Sequence, residues 1–213
     1  MKSLTLSGRA PLDTPNNNRI FCPTLAGLSA SQADLGFLMP RLDHNRAVRE
    51  TARQGAWAAV LASDPFGSEI ALFSRLQELG YSGIINWPSS ILLEGNLRQS
   101  MSTIPASPAF EYDFLARAKA AGLETMAFFL SLEQARLALQ AGLDHLILHP
   151  GLLSVEDSES GALVLRSLQT LLDTLKIEDE RTTIYAYTSS WHERLIPLST
   201  LSVDGVIWYE DHG

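Results

Sequence analysis

Apolar and polar positions along the chain alternate between two periods. Apolar runs of strand length stand near residues 20–26, 34–39, 56–62, 82–87, 124–130, 144–149, 182–187 and 204–209, often flanked by Gly or Pro. Between several of them the spacing turns helical. Ile70, Phe73, Leu76 and Leu79 share one face of Ser68–Gly80; Phe110, Phe114, Leu115 and Ala118 share one face of Ala109–Gly122. Leu132, Ala135 and Leu139 do the same in Leu132–Gly142, and each of these segments closes on a glycine, the residue favoured at a helix C-cap. Continuous apolar strands between amphipathic helices belong to parallel sheets covered by helices. Eight runs fit a closed (β/α)8 barrel, and periodicity by itself also admits a doubly wound sheet.

Residues 1–18 show no period and end in turn formers, which reads as a flexible lead-in before a single domain over 19–213. Only a few residues separate the first run from 34–39, too few for a parallel crossover. The first helix is therefore expected to be reduced, leaving an incomplete helical ring, or 34–39 is not a barrel strand. An uncovered strand would bury itself against a second subunit, so a homo-oligomer is expected. The connection 88–109 is too long for a simple turn and reads as a lid or a subunit contact.

Composition narrows the class. With 213 residues, 46% hydrophobic and 19% charged, the chain can bury a large core. A formal net charge of -8 argues against direct nucleic-acid or anionic-membrane binding. The single cysteine, Cys22, leaves no internal disulfide and no cysteine-built zinc site. No signal-peptide pattern opens the sequence and no apolar run reaches membrane-spanning length, so a soluble cytoplasmic protein with no membrane partner is expected.

Parallel strands gather chemistry at their carboxyl ends. The residues so placed are Ser29, Arg41, Ser63 with Asp64, Asn86, His149, Thr188 with Ser189, and Tyr209 with Glu210, joined by Glu111 from the start of its helix. Asp64 and Glu111 are the candidate acid–base or metal-binding pair; Asp64 reads equally as a helix N-cap and Glu111 as a solvated first-turn carboxylate. His149 ends an apolar strand before Pro150-Gly151, which points its ring to the mouth or into a bond with a backbone carbonyl. His44, His145, His192 and His212 share no ligand spacing. Trp87 is the tryptophan placed to line a pocket. Tyr185 and Tyr187 point the same way as pocket wall or barrel filling.

The order and spacing of several motifs resemble the phosphoenolpyruvate hydrolase-like TIM-barrel proteins, also called TIM-barrel signal-transduction proteins. They include Gly27-Leu28-Ser29-Ala30, Asp34-Leu35, Asp43-His44-Asn45, Val60–Phe66, Leu79–Pro88, Glu94–Arg98, Glu111-Tyr112, Glu133-Gln134-Ala135, Ala141–Asp144 and His149-Pro150-Gly151-Leu152. The resemblance covers roughly residues 20 to 210 and decides for the TIM barrel over the doubly wound sheet. It implies Mg2+-assisted lyase or hydrolase chemistry on a small oxo-acid or phosphorylated carboxylate. Asp64 and Glu111 would then hold the metal, with His149 as acid–base group. The ligand-binding positions it implies are Gly27, Ser29, Asn86 and Gly151, to which Trp87 and Ser189 are added from their own places at strand ends. Some relatives precede sigma-54-type regulators, which implies the alternative of a sensory barrel linked to transcription.

The departures lie at the mouth. The Gly- and Arg-rich segment after the second strand shrinks to Pro40-Arg41-Leu42, and the seventh-strand His-Gly-Gly reads Tyr185-Ala186-Tyr187-Thr188-Ser189-Ser190. The Gly-rich turn after His149 reads Leu152-Leu153-Ser154-Val155-Glu156. Bulky residues in place of close-approach glycines narrow a pocket, which favours binding over retained catalysis.

Overall fold

The computed structural model describes residues 2–9, 17–38, 42–51, 55–101, 106–153 and 158–211. Its frame is a closed barrel of eight parallel strands in sequence order: β1 Lys2–Ser7, β2 Arg19–Phe21, β3 Trp57–Val60, β4 Gly83–Asn86, β5 Glu124–Phe129, β6 His145–Leu148, β7 Thr183–Ser189 and β8 Gly205–Tyr209. The helices are α1 Ala33–Leu38, α2 His44–Arg49, α3 Glu69–Glu78, α4 Gly95–Met101, α5 Pro108–Ala120, α6 Leu132–Gln140, α7 Ser158–Glu178 and α8 Ser190–Leu195.

The two faces of the barrel wall build two cores. Leu4, Leu6, Ile20, Ala59, Ile85, Met126, Phe128, Ile147, Tyr187 and Ile207 fill the barrel interior. Ala58, Val60, Ile84, Ala127, Phe129, Leu146, Leu148, Ile184 and Ala186 face outward onto α3, α5, α6 and α7. Strands buried on both faces explain why they read as unbroken apolar runs. The helix ends follow local chemistry. Ser68, Ser107 and Ser131 accept a backbone N–H three residues on, from Ala71, Phe110 and Gln134. Each of those helices is followed by a glycine at positive φ: Gly80, Gly122 and Gly142. Ile70, expected on the inner face of α3, instead points to solvent.

Two expectations are corrected. Residues 2–7 are no lead-in: they are β1, which pairs with β8 from Lys2↔Gly205 to Leu6↔Tyr209 and closes the barrel. Their signal is strict alternation, with Leu4 and Leu6 inward and polar Ser3 and Thr5 between them, so the segment lacks the continuous apolar run of its seven partners. Residues 33–38 are no strand: they are α1, with Ala33 and Phe37 one helical turn apart and buried. The short spacing from the 20–26 run therefore needs no shrunken crossover. From β2 the chain passes through a 3-10 turn at Pro23–Leu25, α1 and α2 before reaching β3. With a helix at 33–38, no uncovered strand there calls for a second subunit. Arg41 and His212 lie outside the described residues, as does Met39. No helix of the structure is long and apolar enough to cross a membrane, among the described residues.

Candidate functional site

At the carboxyl ends of the strands α1 lies over the barrel and seals it with Phe37. This ring is fully buried, edge-on to Trp87 at 4.4 Å and to Phe128 at 5.2 Å, and 4.7 Å from the His149 ring. One turn earlier on the same helix, Asp34 reaches two histidines of the opposite wall. Its Oδ2 lies 3.0 Å from His192 Nε2 at the start of α8, and its Oδ1 lies 3.5 Å from His149 Nε2 just past β6. His192 is held in turn by Ser189, whose Oγ stands 3.1 Å from Nδ1 and caps α8 by accepting from the His192 N–H. Tyr187 stacks on His149 with centroids 5.1 Å apart and meets Trp87 edge-on at 5.2 Å.

Protonation follows from these contacts. The Gly151 N–H donates to His149 Nδ1 at 3.1 Å, which places the ring proton of the neutral imidazole on Nε2, facing Asp34. Burial holds the His149 pKa below its ordinary value, against the pull of Asp34 in the other direction. Burial pushes the Asp34 carboxyl up, but the hydrogen bonds of His149 and His192 outweigh it and hold the group well below the carboxylate range. Burial and the neighbouring Asp34 push the Tyr187 phenol well up, so it stays a donor. The site thus sets an ionised carboxylate among neutral donors. Tyr187 OH and Trp87 Nε1 are buried and lack hydrogen-bond partners, and Asp34 Oδ1 and His149 Nε2 face each other across a long contact of 3.5 Å. Buried polar atoms are normally paired, so two orphans beside one stretched contact set this cluster apart from the rest of the core.

The sequence model of the phosphoenolpyruvate hydrolase-like family matches residues 30–184, from the approach to α1 to the start of β7. The chain belongs to this family. Among its relatives, the protein y4oT of Sinorhizobium fredii is 29% identical over 143 residues, covering 64% of this chain and 73% of y4oT. The ToMV resistance protein Tm-1(GCR237) of Solanum lycopersicum is 26% identical over 176 residues, covering 79% of this chain and 22% of the tomato protein. The ToMV susceptible protein tm-1(GCR26) is 29% identical over 131 residues, covering 58% of this chain and 17% of its own length. The chain thus spans less than a quarter of the length of the two tomato proteins.

Within this family member the other expected site residues fall into place unevenly. Asn86 and Trp87 end β4, and Trp87 joins the aromatic cluster while Asn86 turns to a structural task. Its amide donates to Glu111 Oε2 at 2.8 Å and its Oδ1 accepts from the Phe128 N–H. Glu111 is fully buried and also accepts from Ser89 Oγ, Ser90 Oγ and the Ser90 N–H, at 2.5, 2.6 and 2.7 Å. Burial raises its pKa against these four donors. Asp64 sits outside the barrel, half-exposed, with Oδ2 accepting from Asn45 Nδ2 and Oδ1 from the Phe66 N–H, each at 3.0 Å. Ser29 bonds Ser31 and Gln32 beside the half-turn after Gly27, away from the histidines. Gly151 acts on the site through its N–H to His149.

Asp64 and Glu111 therefore do not meet: they share no partner, and no hydrogen bond or ion pair joins them. The Mg2+ implied by the family finds no matching set of ligands in these groups. Glu111 faces four N–H and O–H donors, whose positive ends oppose a cation, and Asp64 brings a lone carboxylate. At the mouth, His149 Nε2 carries a proton and has no free lone pair for a metal. Among the described residues no three His, Cys, Asp or Glu side chains gather where they could hold a metal ion. The residues present do not fit the ion.

Asp34, His192 and Tyr187 are not catalytic candidates by sequence: Asp34 falls in an apolar run of strand length, and His192 has no ligand spacing to another histidine. A helical reading of Ala33-Asp34-x-x-Phe37 was the available signal for Asp34. His192 had none, since it meets Asp34 across 158 positions of sequence.

Proposed function

We propose that the barrel mouth binds a small carbonyl compound of the oxo-acid class and that Asp34 acts on it as a base. The unpartnered Tyr187 OH and Trp87 Nε1 beside the stretched Asp34–His149 contact carry this reading. One ionised acceptor beside three neutral donors complements a carbonyl with an acidic C–H next to it. When His149 Nε2–H turns from Asp34 to the ligand oxygen, one of the contacts that hold the carboxyl low is lost; Asp34 Oδ1 takes the proton, and the electron pair of the C–H bond moves to the carbonyl oxygen. That oxygen accepts from His149 Nε2–H, Tyr187 O–H and Trp87 Nε1–H. A neutral imidazole suits this electrophilic role, and its lowered pKa keeps it neutral. The reverse step, protonation of an enol, is what release of phosphate from an enol phosphate leaves to be done, in keeping with the family's description. His192 is a positioning residue, fixing Asp34 from the far side.

Access requires Phe37 to leave the mouth. That closure favours a second reading, a sensory barrel that binds without turnover. One experiment separates the two. Pyruvate and oxaloacetate are incubated with the protein in deuterium oxide, and loss of the C3 proton signal is followed by NMR alongside thermal melting. Exchange faster than buffer, lost in Asp34→Asn, supports the base. Ligand-induced stabilisation without exchange assigns the sensory barrel. Neither exchange nor stabilisation removes the oxo-acid from this site.

A further inference from the structure

Away from the mouth, on the outer ring, three arginines converge where α2 ends against α3. Arg46 pairs with Glu50 at 2.8 Å and Arg75 with Glu78 at 3.0 Å, both exposed pairs within one helical turn. Arg75 Nε also donates to the Arg49 carbonyl at 3.3 Å, which draws the α3 arginine to the end of α2. Arg49 stands between them half-buried, and its guanidinium has no carboxylate partner among the described residues. This is notable in a chain with 24 acidic side chains against 16 basic ones. Lys and Arg at a helix C-terminus interact favourably with its dipole, which accounts for cations there. It does not account for the space around them.

Arg49 borders several cavities, and two of them concern the arginine cluster. One, of about 360 Å³, is lined by Arg46, Arg49, Glu50, Ala71 and Arg75, with the small Ala71 side chain leaving room between the guanidinium groups. The other, of about 480 Å³, runs from Arg49 past Asn45 and Asp64 to Leu42 and Phe66. Phe66 is 97% exposed, an apolar ring held out at the rim of a cavity. Planar guanidinium forks match phosphate oxygens in pairs, and two or three of them outcompete water for a dianion. We infer that Arg46, Arg49 and Arg75 form a binding site for a phosphate monoester, whose organic part lies in the adjoining cavity against Phe66, with hydroxyl or amine donors toward Asp64. The site is independent of the oxo-acid reading of the mouth.

The test uses the whole chain with inorganic phosphate and glycerol phosphate as probes, observed by phosphorus NMR against chloride at equal ionic strength. A saturable shift is expected for both, with the ester binding more tightly. Arg49→Gln is expected to weaken both by about tenfold or more. Ala71→Leu, which fills the cavity on an exposed helix position and leaves every charge in place, is expected to do the same. Asp34→Asn is expected to change nothing, which separates this site from the mouth. A shift reproduced by chloride, or one unaffected by Arg49→Gln and Ala71→Leu, overturns the proposal. Equal affinity for the two probes overturns the assignment of the adjoining cavity.

Discussion

His44 gives the fold a measurable dependence on pH. Its ring is buried at the start of α2, with Nε2–H donating to the Ala59 carbonyl at 2.8 Å and Nδ1 accepting from Thr24 Oγ1 at 2.6 Å. The neutral ring satisfies both nitrogens, and burial pushes the pKa down from 6.5 to about 4. Between those values the unfolded ring binds a proton and the folded ring does not. Stability is therefore complete above 6.5 and is lost as the pH falls toward 4. The difference corresponds to about 3 kcal/mol from this one residue. His149 and Asp34 add losses of their own at acid pH, so the contribution is isolated by comparison with His44→Gln, whose amide does not titrate. Urea denaturation of both proteins at several values from about pH 7 down to about pH 4 gives two stability curves. The curves are expected to converge on acidification, the variant being the less stable one at neutral pH. Parallel curves over the whole range would falsify the assignment of a buried neutral His44.

Other outcomes follow from the same structure. Phe37→Ala removes the ring that seals the mouth and is expected to cost about 3–5 kcal/mol by urea denaturation while easing ligand entry. Unchanged stability would show that the ring is not buried in solution. Gly83→Ala places a Cβ 2.6 Å from the Glu124 carbonyl oxygen and from the Trp57 ring. A loss of about 1–3 kcal/mol is expected in the same assay, and a neutral result would move β4 away from β5. Glu111→Ala strands the Ser89, Ser90 and Asn86 donors in the core, for a loss of roughly 3 kcal/mol or more in thermal or chemical unfolding. Addition of Mg2+ is expected to leave the melting temperature unchanged, because the donor set does not fit the ion. A saturable rise that disappears in Asp64→Asn would refute that conclusion.

Seven of the eight strands and the three Gly-closed helices were legible in the sequence because each depends on local rules. A strand buried on both faces must be apolar at every position, and an amphipathic helix must repeat near every fourth residue. The exceptions lie where a local rule met a longer-range one. Lys2–Ser7 alternates, as a half-buried strand does, and only its pairing with β8, two hundred residues away, makes it the strand that closes the barrel. Ala33–Leu38 is short and apolar enough for either state, and docking of Phe37 into the mouth makes it a helix.

The sequence by itself determined the class of fold, the family motifs and the placing of His149 and Trp87 at the mouth, since strand direction sends every residue after a strand to the same end. Tertiary structure alone decided which polar groups meet. Asp64 and Glu111 carry the right chemistry at plausible positions, yet Asn45 holds one outside the barrel and Ser89, Ser90 and Asn86 enclose the other. His149 and His192 stand 115 or more positions from Asp34 along the chain, and each comes within 3.5 Å of its carboxylate through the closure of the barrel. Hydrogen bonding is short-ranged and directional, so its partners are fixed by atomic placement, and no spacing along the chain encodes them.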